Sequence, residues 1–101
     1  MNTQQIVQKL LPLDPEKIIL FGSYAKGDSS RESDVDVLII ARTNERPAVR
    51  VGRALKLVWG SEPHVEPYVL TPEEFERAVS QNRFFITQEV LRYGKVIYKK
   101  N

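Results

Sequence analysis

The stretch that decides the reading runs Ile18-Ile19-Leu20-Phe21-Gly22-Ser23-Tyr24-Ala25-Lys26-Gly27 and resumes at Ser33-Asp34-Val35-Asp36-Val37-Leu38-Ile39-Ile40. Both apolar runs are short and rich in β-branched residues, which predicts buried strands over residues 17–21 and 34–41. Gly22 closes the first run. A single helical turn over residues 23–26, stopped by Gly27, fits the small polar segment behind it. The link between the two strands is too short for a crossover helix, so a mixed sheet is expected rather than a purely parallel one.

Side chains two apart on a strand share a face. Asp34 and Asp36 therefore project side by side, and Val35 and Val37 enter the opposite face. Two adjacent carboxylates repel, and a site that keeps both ionised needs a cation. Mg²⁺ prefers such oxygens and completes its shell with substrate phosphates. Two ions about 3.5–4 Å apart can clamp the attacking and leaving oxygens of a phosphoryl transfer. On the other side, Gly22 lets the backbone approach a phosphate closely. Unpaired N–H groups at a helical turn attract anions. The Ser23 hydroxyl adds a donor, and Lys26 adds positive charge. Each piece alone says little: Asp-x-Asp ends many strands, and Gly-Ser occurs in many turns. Their order between two apolar strands carries the weight.

Gly22-Ser23-x-Ala25-x-Gly27 followed by Ser33-Asp34-x-Asp36-x-Leu38 resembles the signature of minimal nucleotidyltransferases of the DNA polymerase β superfamily. The resemblance implies the nucleotidyltransferase fold, a small α/β (α+β) structure with a mixed sheet of three to four strands flanked by helices. It implies that Asp34 and Asp36 bind two Mg²⁺ ions and a nucleoside triphosphate, and that Gly22 and Ser23 contact phosphates. A third acid is expected on the next strand. The residue there is Glu66, in His64-Val65-Glu66-Pro67-Tyr68, where aspartate is usual. Tyr24 stands where the family often has a basic residue. Short members often pair with a helical HEPN toxin, and some transfer AMP from ATP to a tyrosine of that toxin. The resemblance therefore implies a protein adenylyltransferase acting as an antitoxin.

Outward from this core, residues 3–11 form an expected helix stopped by Pro12 and Pro15. Residues 47–59 form another, with Ala48, Val51, Leu55, Val58 and Trp59 on one face and Arg46, Arg50 and Arg53 on another. Residues 64–70 read as a strand. Thr71, Pro72 and Glu74 read as a capping box opening a helix to about Val79. A helix over 84–93 with Phe84, Phe85, Ile86, Val90 and Leu91 in the core, then Gly94 and an edge strand over 96–98, complete the pattern. Strands alternating with helices indicate α/β layering.

The chain has 101 residues and suits one domain over 1–101. It lacks cysteine, which excludes disulfides and thiolate metal sites. The formal net charge of +2 does not call for nucleic acid. Placement says more: Asp28, Glu32, Asp34 and Asp36 cluster, and Arg42, Arg46, Arg50, Arg53 and Lys56 recur. A nucleic-acid face on that basic row is weighed against a solvated helix face and set second, because no aromatic residues interleave it. The polar start shows no signal peptide, and no apolar run approaches the ~20 residues of a membrane span, so a cytoplasmic protein is expected. One binding-class alternative stays open: the same fold neutralising its partner by contact alone.

Overall fold

The structure is a computed structural model that describes residues 2–27 and 33–101. Asp28 and Glu32 lie outside the described residues. Helix α1 (Thr3–Leu10) is capped by Asn2, whose side chain accepts from the Gln4 N–H at 2.8 Å. It tightens into a 3₁₀ turn over Leu11–Leu13, which accommodates Pro12 inside the turn. The α-helix ends before Pro12, as the sequence predicts, and only the tighter turn carries on past it. A proline fits the opening positions of a helical turn because those N–H groups have no partner to lose.

Strands β1 (Lys17–Phe21), β2 (Val35–Ile40), β3 (Val65–Leu70) and β4 (Lys95–Lys99) form one sheet in the order β3-β2-β1-β4. β1 runs antiparallel to β2 and to β4, and β2 runs parallel to β3. The short turn between β1 and β2 forces the antiparallel pair. Helix α3 (Pro47–Leu57) supplies the crossover that the parallel pair requires. The mixed sheet matches expectation. β2 opens at Val35, so Asp34 stands just before the strand.

Period-two alternation sorts the sheet into two cores. Ile18, Leu20, Val35, Val37, Ile39, Val65 and Val69 pack with Ile6 and Leu10 of α1 and with Ala54 and Val58. Ile19, Phe21, Leu38 and Ile40 pack with Ile86 and Val90, backed by Tyr68, Leu70 and the helix α4 (Pro72–Ser80). The capping box of α4 forms as the sequence predicts: the Glu74 N–H donates to Thr71 Oγ1 at 3.1 Å, and the Thr71 N–H to Glu74 Oε1 at 2.9 Å.

Two helix faces differ from the sequence expectation. On α3 the buried positions are Arg50, Ala54 and the capping residue Val58, whereas Ala48 is exposed and Trp59 is 83% exposed. Arg50 enters with its guanidinium partnered: Nε donates to the Glu45 carbonyl at 2.7 Å and Nη1 to Glu74 Oε1 at 2.6 Å. The basic row is thereby broken up, since Arg53 also pairs with Glu45. The segment Phe85–Leu91 is a π-helix rather than an α-helix. Its wider turn brings Ile86 and Val90 onto the sheet, and Phe84 and Leu91 fall to solvent at 73% and 51% exposure. No helix among the described residues is long and apolar enough to cross a membrane.

Candidate functional site

The candidate site forms where β1 ends and β2 and β3 begin. Phe21 pairs with Asp36 across the antiparallel ladder, and Asp36 pairs with Glu66 across the parallel one. Paired residues on adjacent strands present side chains to the same face. Asp36 and Glu66 therefore stand side by side, at the head of the face that continues through Leu38 and Tyr68 into the second core. Asp34 precedes them at the exposed lip of β2.

Gly22 follows Phe21 directly and turns the chain over this pair. Its backbone lies at φ 75° and ψ −154°, a conformation open to glycine and strongly disfavoured for other residues. A Cβ there would overlap Asp36 Oδ2 and lie 3.3 Å from its Cγ. Glycine is thus required twice, by conformation and by the closeness of the carboxylate. The turn continues as helix α2 (Ser23–Lys26). The Ala25 and Lys26 N–H groups both donate to the Gly22 carbonyl at 3.1 Å, and Gly27 at φ 81° closes the turn.

Like charge dominates the electrostatics around Asp36. Burial first, then the carboxylates of Glu66, Asp34 and Glu89, push the Asp36 carboxyl up to about 6. Burial first, then the carboxylates of Glu66, Asp36 and Asp34, raise Tyr68 above the ordinary phenol value. The Tyr68 hydroxyl donates to Glu66 Oε1 at 3.3 Å. Its ring is fixed in an aromatic triangle: Phe21–Phe85 centroids lie 5.1 Å apart edge to face, Phe21–Tyr68 5.4 Å and Tyr68–Phe85 5.3 Å. A cavity of about 500 Å³ on this face has Tyr68 and Phe85 in its wall but none of the acidic site candidates.

The structure thus brings Gly22, Asp36 and Glu66 into one place, with Ser23 next along the turn and Asp34 near enough to act on Asp36. Lys26 sits at the end of the same turn and pairs with Glu89, Nζ to Oε2 at 3.0 Å. Sequence reasoning missed Glu89 and Tyr68. Glu89 lies far along the chain in a π-helical segment, and no local spacing links it to Asp36. Tyr68 was legible in principle, since it follows Glu66 by two residues on the same strand face.

The donor set fits a hard divalent cation. All candidate ligands are carboxylate oxygens, and the upward shift of Asp36 marks a place where added positive charge is favoured. Among the described residues, no three such side chains are already gathered around one point.

Comparison with known proteins identifies the family and the fold. The profile of the nucleotidyltransferase domain matches residues 1–97. A Methanocaldococcus jannaschii protein, MJ0604, provisionally named a protein adenylyltransferase, is 34% identical over 83 residues, covering 82% of this chain and 78% of its own length. A second from the same organism, MJ0141, with the same provisional name, is 54% identical over 35 residues, covering 35% of this chain and 33% of its own length. Among solved structures, a Sulfolobus solfataricus protein provisionally named a nucleotidyltransferase superposes with a TM-score of 0.68 at 20% identity, over 97% of this chain and 78% of its own. A chain from the MntA–HpeT toxin–antitoxin superposes at 0.65 and 18% identity, over 100% of this chain and 75% of its own. A chain from a toxin–antitoxin solved with AMP-PNP superposes at 0.61 and 21% identity, over 100% of this chain and 76% of its own. With a turn that only glycine can make against a strand-borne carboxylate, and a family match along nearly its whole length, the chain belongs to the nucleotidyltransferase domain family and is a nucleotidyltransferase.

Proposed function

We propose that this nucleotidyltransferase moves AMP from ATP to a hydroxyl of a protein partner, with Mg²⁺, and that the partner is a small helical HEPN-type toxin which the transfer silences. The observation that carries the reading is the contact of Gly22 with Asp36 beside the registered Asp36–Glu66 pair. It supports one ligand reaching both the turn and the carboxylates. The names of the M. jannaschii relatives support protein as acceptor and adenylyl as the group moved. The toxin–antitoxin neighbours, one of them solved with AMP-PNP, support the partner and the donor.

In this reading Gly22, Ser23 and Lys26 bind the β- and γ-phosphates, and Asp34 and Asp36 hold the cation, with Glu66 as third ligand. Mg²⁺, when bound, supplies charge neutralisation at the α-phosphate and pyrophosphate and favours ionised Asp36. Glu66 or Asp36 accepts the proton of the attacking hydroxyl. The new bond joins the acceptor oxygen to the α-phosphorus, the bond from that phosphorus to the α,β-bridging oxygen breaks, and pyrophosphate leaves with the electron pair. Tyr68, donating to Glu66, holds the third carboxylate over the sheet face. Most of the acceleration comes from holding reactants in line in a fixed field.

The test uses ATP labelled at the α-phosphate, Mg²⁺ and the purified partner. Label is expected on the partner, and none when the label is on the γ-phosphate. If Asp34→Ala/Asp36→Ala still neutralises the partner as fully as the wild type, contact alone is the function and transfer is not.

A further inference from the structure

One ion pair crosses from the glycine turn to the far end of the chain. Lys26 Nζ lies 3.0 Å from Glu89 Oε2 and 3.2 Å from Oε1, with the side chains 31% and 29% exposed. The Tyr93 ring covers the ammonium at 5.1 Å from its centroid, a cation–π contact strengthened by partial desolvation. Lys26 is the last residue of the turn that Gly22 begins, on the same helix that Ser23 opens.

Glu89 itself stands on the π-helix Phe85–Leu91, far along the chain from the turn it meets. π-helical turns recur where a side chain must be aimed at a functional site. A triphosphate arriving at Ser23 and Lys26 brings several negative charges next to Glu89, and like charges at such separations repel.

We propose that Glu89 is a positioning residue that sets the affinity of the site for triphosphate: it holds Lys26 as a stand-in anion, and an incoming triphosphate takes Lys26 over from it. This rests on the assignment of Gly22, Ser23 and Lys26 to the phosphate side. Glu89 keeps the lysine ordered and aimed while the site is empty, at the cost of competing with the ligand. Its removal therefore tightens phosphate binding rather than weakening it, and the gain depends on Lys26.

The experiment is titration calorimetry of the full chain with inorganic tripolyphosphate, at low salt and without divalent cation. Glu89→Gln, which keeps size and removes charge, is expected to bind about fivefold tighter than the wild type, the scale of a partly solvated ion pair. Lys26→Met weakens binding, and Glu89→Gln added to it restores almost nothing. Glu89→Asp keeps the charge and stays within about twofold of the wild type. In the transfer assay Glu89→Gln lowers KM for ATP with kcat little changed. Equal or weaker binding by Glu89→Gln overturns the proposal. So does a gain that persists without Lys26, or a gain in Glu89→Asp equal to that in Glu89→Gln. A wild-type chain that takes up no tripolyphosphate, with or without Mg²⁺, sinks the phosphate assignment itself, which is a different result from binding that ignores Glu89.

Discussion

Two places in this molecule put charge under partial cover, and they treat it oppositely. At the Arg50–Glu74 contact, charge meets its opposite. The guanidinium is almost fully buried, and its donors reach Glu74 and the Glu45 carbonyl. The Arg50 hydrogen bond, then that of the Thr71 N–H, holds the Glu74 carboxyl below the usual glutamate value. At the carboxylate cluster, charge meets its like. Asp36 is pushed up by burial and by Glu66, Asp34 and Glu89, and the Gly22 backbone lies close against its oxygen. The first region is stabilised by its electrostatics. The second carries a standing cost, of the kind that persists where function needs it.

The sharpest way to break this comparison is to neutralise the second region. Asp36→Asn is expected to lower transfer activity by about a thousandfold or more, the scale of removing a principal electrostatic contact to the reacting phosphate. In the absence of divalent cation the same variant melts higher than the wild type, by ~1 kcal/mol or about 5 °C for a chain this size. Thermal melts with EDTA and labelled-ATP assays read the two effects. A variant that loses both activity and stability would place Asp36 among structural residues.

Damage to the first region should do the reverse. Arg50→Ala leaves Glu74 short of its partner and removes the arginine stem from the core, with an expected loss of ~2–3 kcal/mol in urea unfolding. Helix α4 loosens with it. Basal transfer measured well below the midpoint should stay near wild type, since neither residue approaches Gly22 or Asp36.

The smallest effect is in pH. A carboxyl with a depressed folded-state value contributes stability above its unfolded value. That contribution is lost as pH falls through the folded value. The Glu74 contribution is therefore intact at neutral pH and disappears in acid, below the ordinary glutamate range. Glu74→Gln should show a shallower loss of stability between neutral pH and acid than the wild type does. An unchanged slope would mean that the pair is ornamental.

Much of this was readable before any coordinates. The β-branched runs, the glycine after Phe21 and the capping box at Thr71 are local statements, and local physics enforces them. The relation of Asp36 to Val35 and Val37 follows from strand pleating alone. The face of α3 was misread because apolar periodicity assumes that arginine stays in water, and Arg50 goes inside only because Glu74 comes from another element. The π-helix escaped notice for a related reason: its core residues Ile86 and Val90 also suit an α-helix. Beyond the π-helix, Gly94 passes close against Ile19 and the Val90 carbonyl, a tertiary approach that no local spacing records.

The sequence by itself determined the strands and the turn that only glycine can make, because those depend on neighbours within a few residues. Tertiary structure alone decided that Glu66 stands opposite Asp36, that Lys26 pairs with Glu89, and that Arg50 is buried. Each of these joins residues far apart in the chain, and charge acts through the space between side chains, which no linear pattern records.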